Sequence, residues 1–246
     1  MVLSLYPVKG AKFFIGAVVG SGGVPNEDVD ATDFVAVSWT QAKGWSTAGD
    51  ITDNQAEITE SVIDLGRDLS TKGTYNAPRQ SHRFIISHDD PGQLAMRAAS
   101  LTNFNYPMKV EWDDAPPVKT STVTMTIAAP GVVSWASHTL TNGDPVSFAT
   151  TGALPTGLTA GTTYYVVNAA SGTFEVAATV GGAAITTSGS QSGVHTATTV
   201  PSPSMEMWFG LVFPGTRNGG QANTARMLAF DVKPNTNIVQ VDAVGA

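Results

Sequence analysis

Apolar and polar residues alternate with a period of two along several short segments of the chain, which is typical of β-strands. The clearest case is 107–112, where Met108, Val110 and Trp112 alternate with charged residues. Further strands are predicted at 12–19, 33–39, 57–65, 82–87, 206–213, 226–232 and 238–242, the last two as a hairpin. The pattern therefore predicts a mainly β protein.

One segment has the pattern of an α-helix. It begins at Asp90 and Pro91, because an aspartate accepts the first free N–H groups of a helix and a proline fits its first turn. The helix is predicted to run to about residue 100. Its apolar face is expected to consist of Leu94, Ala98 and Leu101, with Ala95 beside them.

Between 118 and 203 the chain changes character. Of its 13 basic and 20 acidic residues, only Lys119, Asp144 and Glu175 lie in this stretch. Five strands separated by turn residues are predicted there, at 122–127, 132–135, 145–148, 164–168 and 173–177. This spacing favours a small β-sandwich or barrel.

The segments on both sides of this stretch, 107–112 and 206–213, are predicted strands. We therefore expect 118–203 to be a small β domain inserted into the turn of a hairpin. Residues 1–117 and 204–246 would then form one discontinuous β-sandwich or barrel domain with one flanking α-helix.

The segment 50–80 is polar, and we interpret it as a strand near 57–65 followed by an extended loop over 66–80. A loop of that length in a compact domain is usually functional or disordered. Six carboxylates lie between positions 50 and 68: Asp50, Asp53, Glu57, Glu60, Asp64 and Asp68. The loop residues of interest are Lys72, Gly73, Tyr75, Pro78 and Arg79.

Charge and composition exclude several classes of protein. Charged residues make up 13% of the chain, about half the usual share, so weakly polar surface is left that is best explained by burial against partner subunits. The net charge of −7 and the lack of clustered Lys and Arg argue against tight DNA binding. Without cysteine there is no disulfide, zinc–thiolate site or thiol nucleophile.

No motif for catalysis or cofactor binding is present. The sequence lacks a Gly-x-Ser-x-Gly elbow, a phosphate loop and a dinucleotide fingerprint. His82, His88, Asp89 and Asp90 could form a metal or acid–base cluster, although helix capping explains the two aspartates. The carboxylates of 50–68 do not have the spacing of a calcium loop. We therefore expect no enzyme, no metal site and no cofactor.

The apolar run at 12–19 is read as a strand rather than a signal peptide. It is also far too short to span a membrane, which takes about 20 residues. No membrane segment is expected.

The order of features over 8–112 and 205–242 resembles the major tail protein of long, non-contractile-tailed bacteriophages. The matching features are the lead-in 8–11, the segment 45–50, the acidic strand 56–60, the polar loop 66–80, the strand entering 90–98, and the pair 108–112 and 207–213. Residues 118–203 resemble a module that recurs in phage structural proteins, on the runs 137–144, 151–168 and 181–193.

The resemblance implies a β-sandwich with a flanking helix, whose copies form hexameric rings that stack into a tail tube. The inner strands of a ring would join into one barrel, and DNA would pass through without specific binding. The six carboxylates would face the lumen or a ring contact, and the loop 66–80 would contact the next ring. An acidic wall suits a conduit, because it does not hold phosphates.

The partners implied by the resemblance are the protein itself and the tape measure, terminator and tail tip proteins. The protein would be made in the host cytoplasm and reside in the virion. Two alternatives stay open: another virion component, such as a head–tail connector, a tail terminator or a receptor-binding protein, or a carbohydrate-binding adhesin. An adhesin would use the aromatic residues Trp135, Tyr164 and Tyr165 on the surface of the inserted domain, unless they pack in its core.

Overall fold

The computed structural model describes residues 7–23, 28–219 and 221–245. The chain divides into two compact units. The sheet unit consists of Pro7–Trp112 and Met205–Val241, and the barrel unit consists of Asp113–Ser204 with the residues from Asp242 onward. The predicted mainly β fold class is confirmed, with one α-helix among the described residues.

The helix α1 spans Pro91–Ala99. The strands, in chain order, are β1 (Lys12–Gly16), β2 (Trp39–Ala42), β3 (Trp45–Thr47), β4 (Gln55–Val62), β5 (Arg67–Tyr75), β6 (Gln80–Ile85), β7 (Tyr106–Glu111), β8 (Thr120–Met125), β9 (Val132–Ser134), β10 (Pro145–Thr150), β11 (Thr163–Ala170), β12 (Thr173–Ala177), β13 (His195–Thr199), β14 (Met205–Asn218), β15 (Met227–Pro234) and β16 (Val239–Val241).

The sheet unit is built on one antiparallel sheet in the order β2-β1-β7-β14-β15-β6-β3, with β16 also paired to β14. The central strand β14 is buried on both sides. Trp208 belongs to the main core, together with Phe13, Met108 and Val110. Met207 and Phe209 belong to a second cluster on the other side.

The hairpin predicted between 226–232 and 238–242 does not form. β15 and β16 instead follow one another along the same edge of β14, at 210–218 and at 205–207. The connection stays on that edge because Phe209 accepts a hydrogen bond from the Asn235 N–H (2.9 Å) and donates its own N–H to the Thr236 hydroxyl (3.0 Å). The chain therefore continues beside β14 instead of turning back.

The strand predicted at 33–39 is also wrong. Ala31–Phe34 form a short 3₁₀ helix whose cap, Asp30, accepts from the Thr32 N–H at 2.7 Å, while Asp33 accepts from the Asp30 N–H at 2.8 Å. These local bonds satisfy the backbone without a strand partner. Phe34 is buried and stacks on Phe209 at 4.9 Å between ring centres.

The helix begins as predicted, because Asp90 accepts from the Gln93 N–H at 2.8 Å. The predicted apolar face of Leu94, Ala98 and Leu101 does not enter the core. The buried residues are Gly92, Gln93, Met96 and Ala99. Gln93 is buried because its side-chain amide is hydrogen-bonded to three backbone groups. It accepts from the Ser87 N–H and donates to the Lys43 and Ile85 carbonyls. Gly92 is required because a Cβ there would collide with the backbone of Gln41 and Ala42.

The extended loop predicted at 66–80 is mostly a strand. β4 and β5 form a separate two-stranded antiparallel sheet, which we call the arm. Lys72, Gly73 and Tyr75 therefore lie within β5, and only Pro78 and Arg79 lie in the connection to β6. The sequence did not predict this strand because almost all of its residues are exposed. A strand that does not pack on a core need not alternate apolar and polar residues.

The barrel unit is a closed six-stranded barrel in the order β10-β11-β12-β9-β8-β13. The five strands predicted here are confirmed, and β13 was missed. Its sequence His-Thr-Ala-Thr-Thr has no large apolar residue, although His195, Ala197 and Thr199 point inward. The barrel core contains Val123, Val133, Val146, Phe148, Val166, Phe174 and Val176, among others.

Each unit brings together the chain ends on either side of 113–204, where the chain enters and leaves the main segment of the barrel unit. In the sheet unit, Glu111 of β7 lies opposite Met205 of β14. In the barrel unit, the Thr199 N–H donates to the Lys119 carbonyl at 2.9 Å, and the Ser204 N–H donates to the Asp114 carboxylate at 2.8 Å.

Excising the barrel unit is expected to leave a folded sheet unit. The change is deletion of 113–203 and 242–246, with Asn-Gly placed between Trp112 and Ser204, since Glu111 and Met205 are already neighbours. We expect one cooperative thermal transition by circular dichroism, and a second, separate transition for the barrel unit expressed alone. A sheet unit that fails to fold would contradict the independence of the two units.

Candidate assembly surface

The arm has two chemically different faces, because directly opposite residues of an antiparallel pair point to the same side. On the apolar face the opposite pairs are Ile58 with Thr71, Glu60 with Leu69, and Val62 with Arg67. On the polar face they are Glu57 with Lys72, Thr59 with Ser70, and Ser61 with Asp68.

The polar face is organised by its own side chains. The hydroxyls of Thr59 and Ser70 are hydrogen-bonded at 3.1 Å, and the Ser61 hydroxyl donates to the Asp68 carboxylate at 2.6 Å. Glu57 lies opposite Lys72 at the end of the face that is nearer the base of the arm. This face suits permanent contact with water.

The apolar face is exposed although its residues are suited to burial. Ile58 is 52% exposed and Leu69 is 51% exposed. At the tip, Ile63 is 98% exposed, and the chain reverses at Gly66, whose φ of +57° lies in the left-handed region that glycine adopts readily. A two-stranded sheet is marginally stable in water without a covering layer. The arm therefore has the properties of a surface that a partner covers.

The two outer edges of the arm have no strand partner among the described residues. Each presents a row of N–H and C=O groups, over eight residues in β4 and nine in β5. Free edges of this length are templates for pairing with another strand. β4 carries Glu57 and Glu60, whereas β5 carries Arg67 and Lys72. The carboxylate of Asp68, also on β5, accepts the Ser61 hydroxyl.

The arm separates the six carboxylates that the sequence grouped. Glu57 and Asp68 lie on the polar face, and Glu60 lies on the apolar face beside Ile58, as strand alternation predicts. Asp64 lies in the turn at the tip. Asp50 and Asp53 precede the arm.

Asp53 lines a cleft of about 900 Å³ at the base of the arm. Burial raises the pKa of Asp53 above its ordinary value, the charge of Asp28 raises it further, and Lys233 acts in the opposite direction. The Lys233 ammonium also donates to the Asn76 side chain at 2.6 Å and to the Ala77 carbonyl. Lys233 thus ties the segment that follows β5 to the body of the sheet unit.

Arg79 is anchored rather than free. Its guanidinium lies over the ring of Phe213, 3.6 Å from the ring centre, in a cation–π contact. The segment from Asn76 to Arg79 is therefore held at two points. Two of the predicted loop residues, Lys72 and Tyr75, are instead exposed on the arm itself.

The histidines considered for a metal or acid–base site are not brought together. His82 is fully buried and its Nδ1 accepts from the Gly49 N–H at 3.1 Å. Burial lowers the pKa of His82 to about 4, so the ring is neutral at pH 7. His88 is exposed. In the ranges that the structure describes, no group of three or more metal-ligating side chains occurs.

Trp135 and Tyr164, which were candidates for a surface role, are core residues of the barrel, 7% and 6% exposed. The Tyr164 hydroxyl accepts from the Thr159 N–H at 2.8 Å. Tyr165, the next residue on β11, points the other way and is half-buried beside a cleft. One of the three aromatic residues is thus left for a surface role.

The sequence did not single out Ile58, Val62 or Leu69 as site residues. The signal available was weak: in β4 the alternation of Ala56, Ile58 and Val62 is interrupted by Glu60, and in β5 the large apolar or aromatic residues are Leu69 and Tyr75. The meaning of this pattern depends on the pairing of the two strands.

Comparison with protein-family models and with curated proteins finds no match. Within the described part of the chain, no helix is long and apolar enough to cross a membrane.

Proposed function

We propose that the protein is a tail tube subunit of a long, non-contractile-tailed bacteriophage, whose copies assemble into rings that stack into a conduit for DNA. The observation that carries the proposal is the arm, with two free edges and an uncovered apolar face. The order of features along the sequence resembles that family and points in the same direction.

The charges of the arm favour one way of pairing. If β4 of one copy lies beside β5 of the next, Glu57 and Glu60 come near Lys72 and Arg67. Pairing β4 with β4 would instead place carboxylates together, and like charges across strands are destabilising. A contact between two different edges is heterologous, and it closes into a ring or continues as a filament.

A closed ring of such arms would be a continuous barrel with no free edge. Its polar face would line the lumen, because Thr59, Ser61 and Ser70 keep their hydrogen-bonding groups toward water. Glu57 and Asp68 are then the lumen-facing carboxylates, and Glu60 lies on the side of the subunit contacts. An acidic, hydroxyl-rich wall would let the phosphate backbone slide.

The remaining parts of the proposal follow from the resemblance. The protein would reside in the virion after synthesis in the host cytoplasm, and its partners would include the tape measure, terminator and tail tip proteins. The burial of Trp135 and Tyr164 leaves Tyr165 as the one of these three aromatic residues that a carbohydrate-binding adhesin could use, which favours the tube subunit over that alternative.

Negative-stain electron microscopy and sedimentation velocity of the purified protein test the proposal directly. We expect hollow tubes, or rings that stack as the protein concentration rises. Single rings that never stack would favour a connector or terminator instead. A protein that stays monomeric at all accessible concentrations would contradict a tube subunit.

A further inference from the structure

The outward face of α1 is apolar and uncovered. Leu94 is 47% exposed and Leu101 is 86% exposed, and Ala98 is exposed between them. Leu94 and Ala98 lie at helical spacing on α1, and Leu101 follows in the turn just after the helix ends at Ala99. The core of the sheet unit uses the opposite side of the helix, so these three residues have no role in the fold of the monomer.

Arg97 lies beside Ala98 and has unused hydrogen-bonding capacity. Its Nε is buried and has no hydrogen-bond partner among the described residues. Its guanidinium makes one long hydrogen bond, from Nη2 to the Ser87 carbonyl at 3.5 Å. In the described ranges the salt bridges involve Lys12, Lys109 and Glu111 and leave Arg97 without a carboxylate. A guanidinium whose donors are partly buried and unmatched is stabilised by an incoming carboxylate.

The apolar face of the arm has the complementary composition. Ile58, Val62 and Leu69 surround Glu60, which lies opposite Leu69, and Arg67 lies on the same face opposite Val62 and diagonal to Glu60.

We propose that the outward face of α1 is the docking surface for the apolar face of the arm of a neighbouring copy, with Arg97 paired to Glu60. This inference rests on the proposed self-assembly and names the partner of the arm. Both surfaces are exposed in the single chain, and the complementary charges of Arg97 and Glu60 favour a second copy as the occupant. Because each copy would give one arm and receive another, the contact is heterologous and supports ring formation.

Charge reversal tests the pairing. Arg97→Glu and Glu60→Arg are each expected to raise the protein concentration for half-maximal assembly about tenfold or more, and the double variant to return it to within about threefold of the wild type. Sedimentation velocity gives these concentrations. Arg83→Glu, at an exposed arginine on β6, is the matched control and should assemble normally.

Leu101→Asp provides a second variant that does not depend on the pair. Leu101 is 86% exposed, so the monomer should fold with an unchanged melting temperature while assembly weakens about tenfold or more. If the wild type assembles and the single variants assemble equally well, or the double variant fails to recover, the docking surface is wrong and the tube proposal stands. A wild type that never assembles overturns both.

Discussion

Replacing 58–71 by an Asn-Gly turn between Glu57 and Lys72 will leave the protein monomeric at concentrations at which the wild type assembles. The reason is that most of both free edges and the whole apolar face are removed in one step. The body of the sheet unit should be nearly unaffected, because the deleted residues are almost all exposed. We expect its melting temperature to change by no more than a few degrees.

Sedimentation velocity measures the first effect and circular dichroism the second. The double variant Thr59→Ala with Ser70→Ala is the control, since it alters the polar face but keeps both edges and the apolar face. It should assemble like the wild type. Assembly of the shortened protein would show that the arm is not the assembly surface, whatever the control does.

The second large effect is acid destabilisation of the sheet unit through His82. The pKa of the buried ring is about 4, against an ordinary value of 6.5. The folded state therefore binds fewer protons than the unfolded state between these values, and stability is full above pH 6.5 and falls as the pH approaches 4. Protonation also removes the acceptor at Nδ1 that the Gly49 N–H uses.

From pH 7.5 to 4.5, this group alone should lower the free energy of unfolding by roughly 2.5 kcal/mol, given a pKa of about 4. Urea unfolding followed by tryptophan fluorescence at the two pH values measures the change. In His82→Asn the loss should be smaller by that amount, although the variant is less stable at both pH values. The control His88→Asn, at an exposed histidine, should behave like the wild type. An unchanged pH dependence in His82→Asn would contradict the assignment.

Some features of the fold were readable from short stretches of sequence. The helix start at Asp90 and Pro91 is a local matter, since one carboxylate and one ring satisfy the first turn. The five predicted barrel strands and β7 were readable because their alternate residues enter a core, as Met108 and Val110 do. The mainly β class follows from these elements.

The candidate site was only partly readable. The sequence placed the carboxylates in a polar segment, and alternation within one strand, which is a local property, is enough to put Glu60 on the side of Ile58. It did not find β5, whose residues face solvent on both sides. A strand is recognisable in a sequence when one of its faces packs on a core and is therefore apolar. β5 packs on no core, so this pattern is missing.

The sequence by itself determined the local features of this protein: the helix cap, the alternation of the core strands, the break in charge at the barrel unit and the acidity of 50–68. Only the tertiary structure decided which strand pairs with which and which side of an element is covered. Lys233 reaches Asn76 and Ala77, and Asn237 bonds Val29 across more than two hundred residues. The same holds for α1, whose most apolar stripe faces outward because Gly92 and Gln93 fit the sheet better. Such choices depend on distant residues that local patterns do not contain.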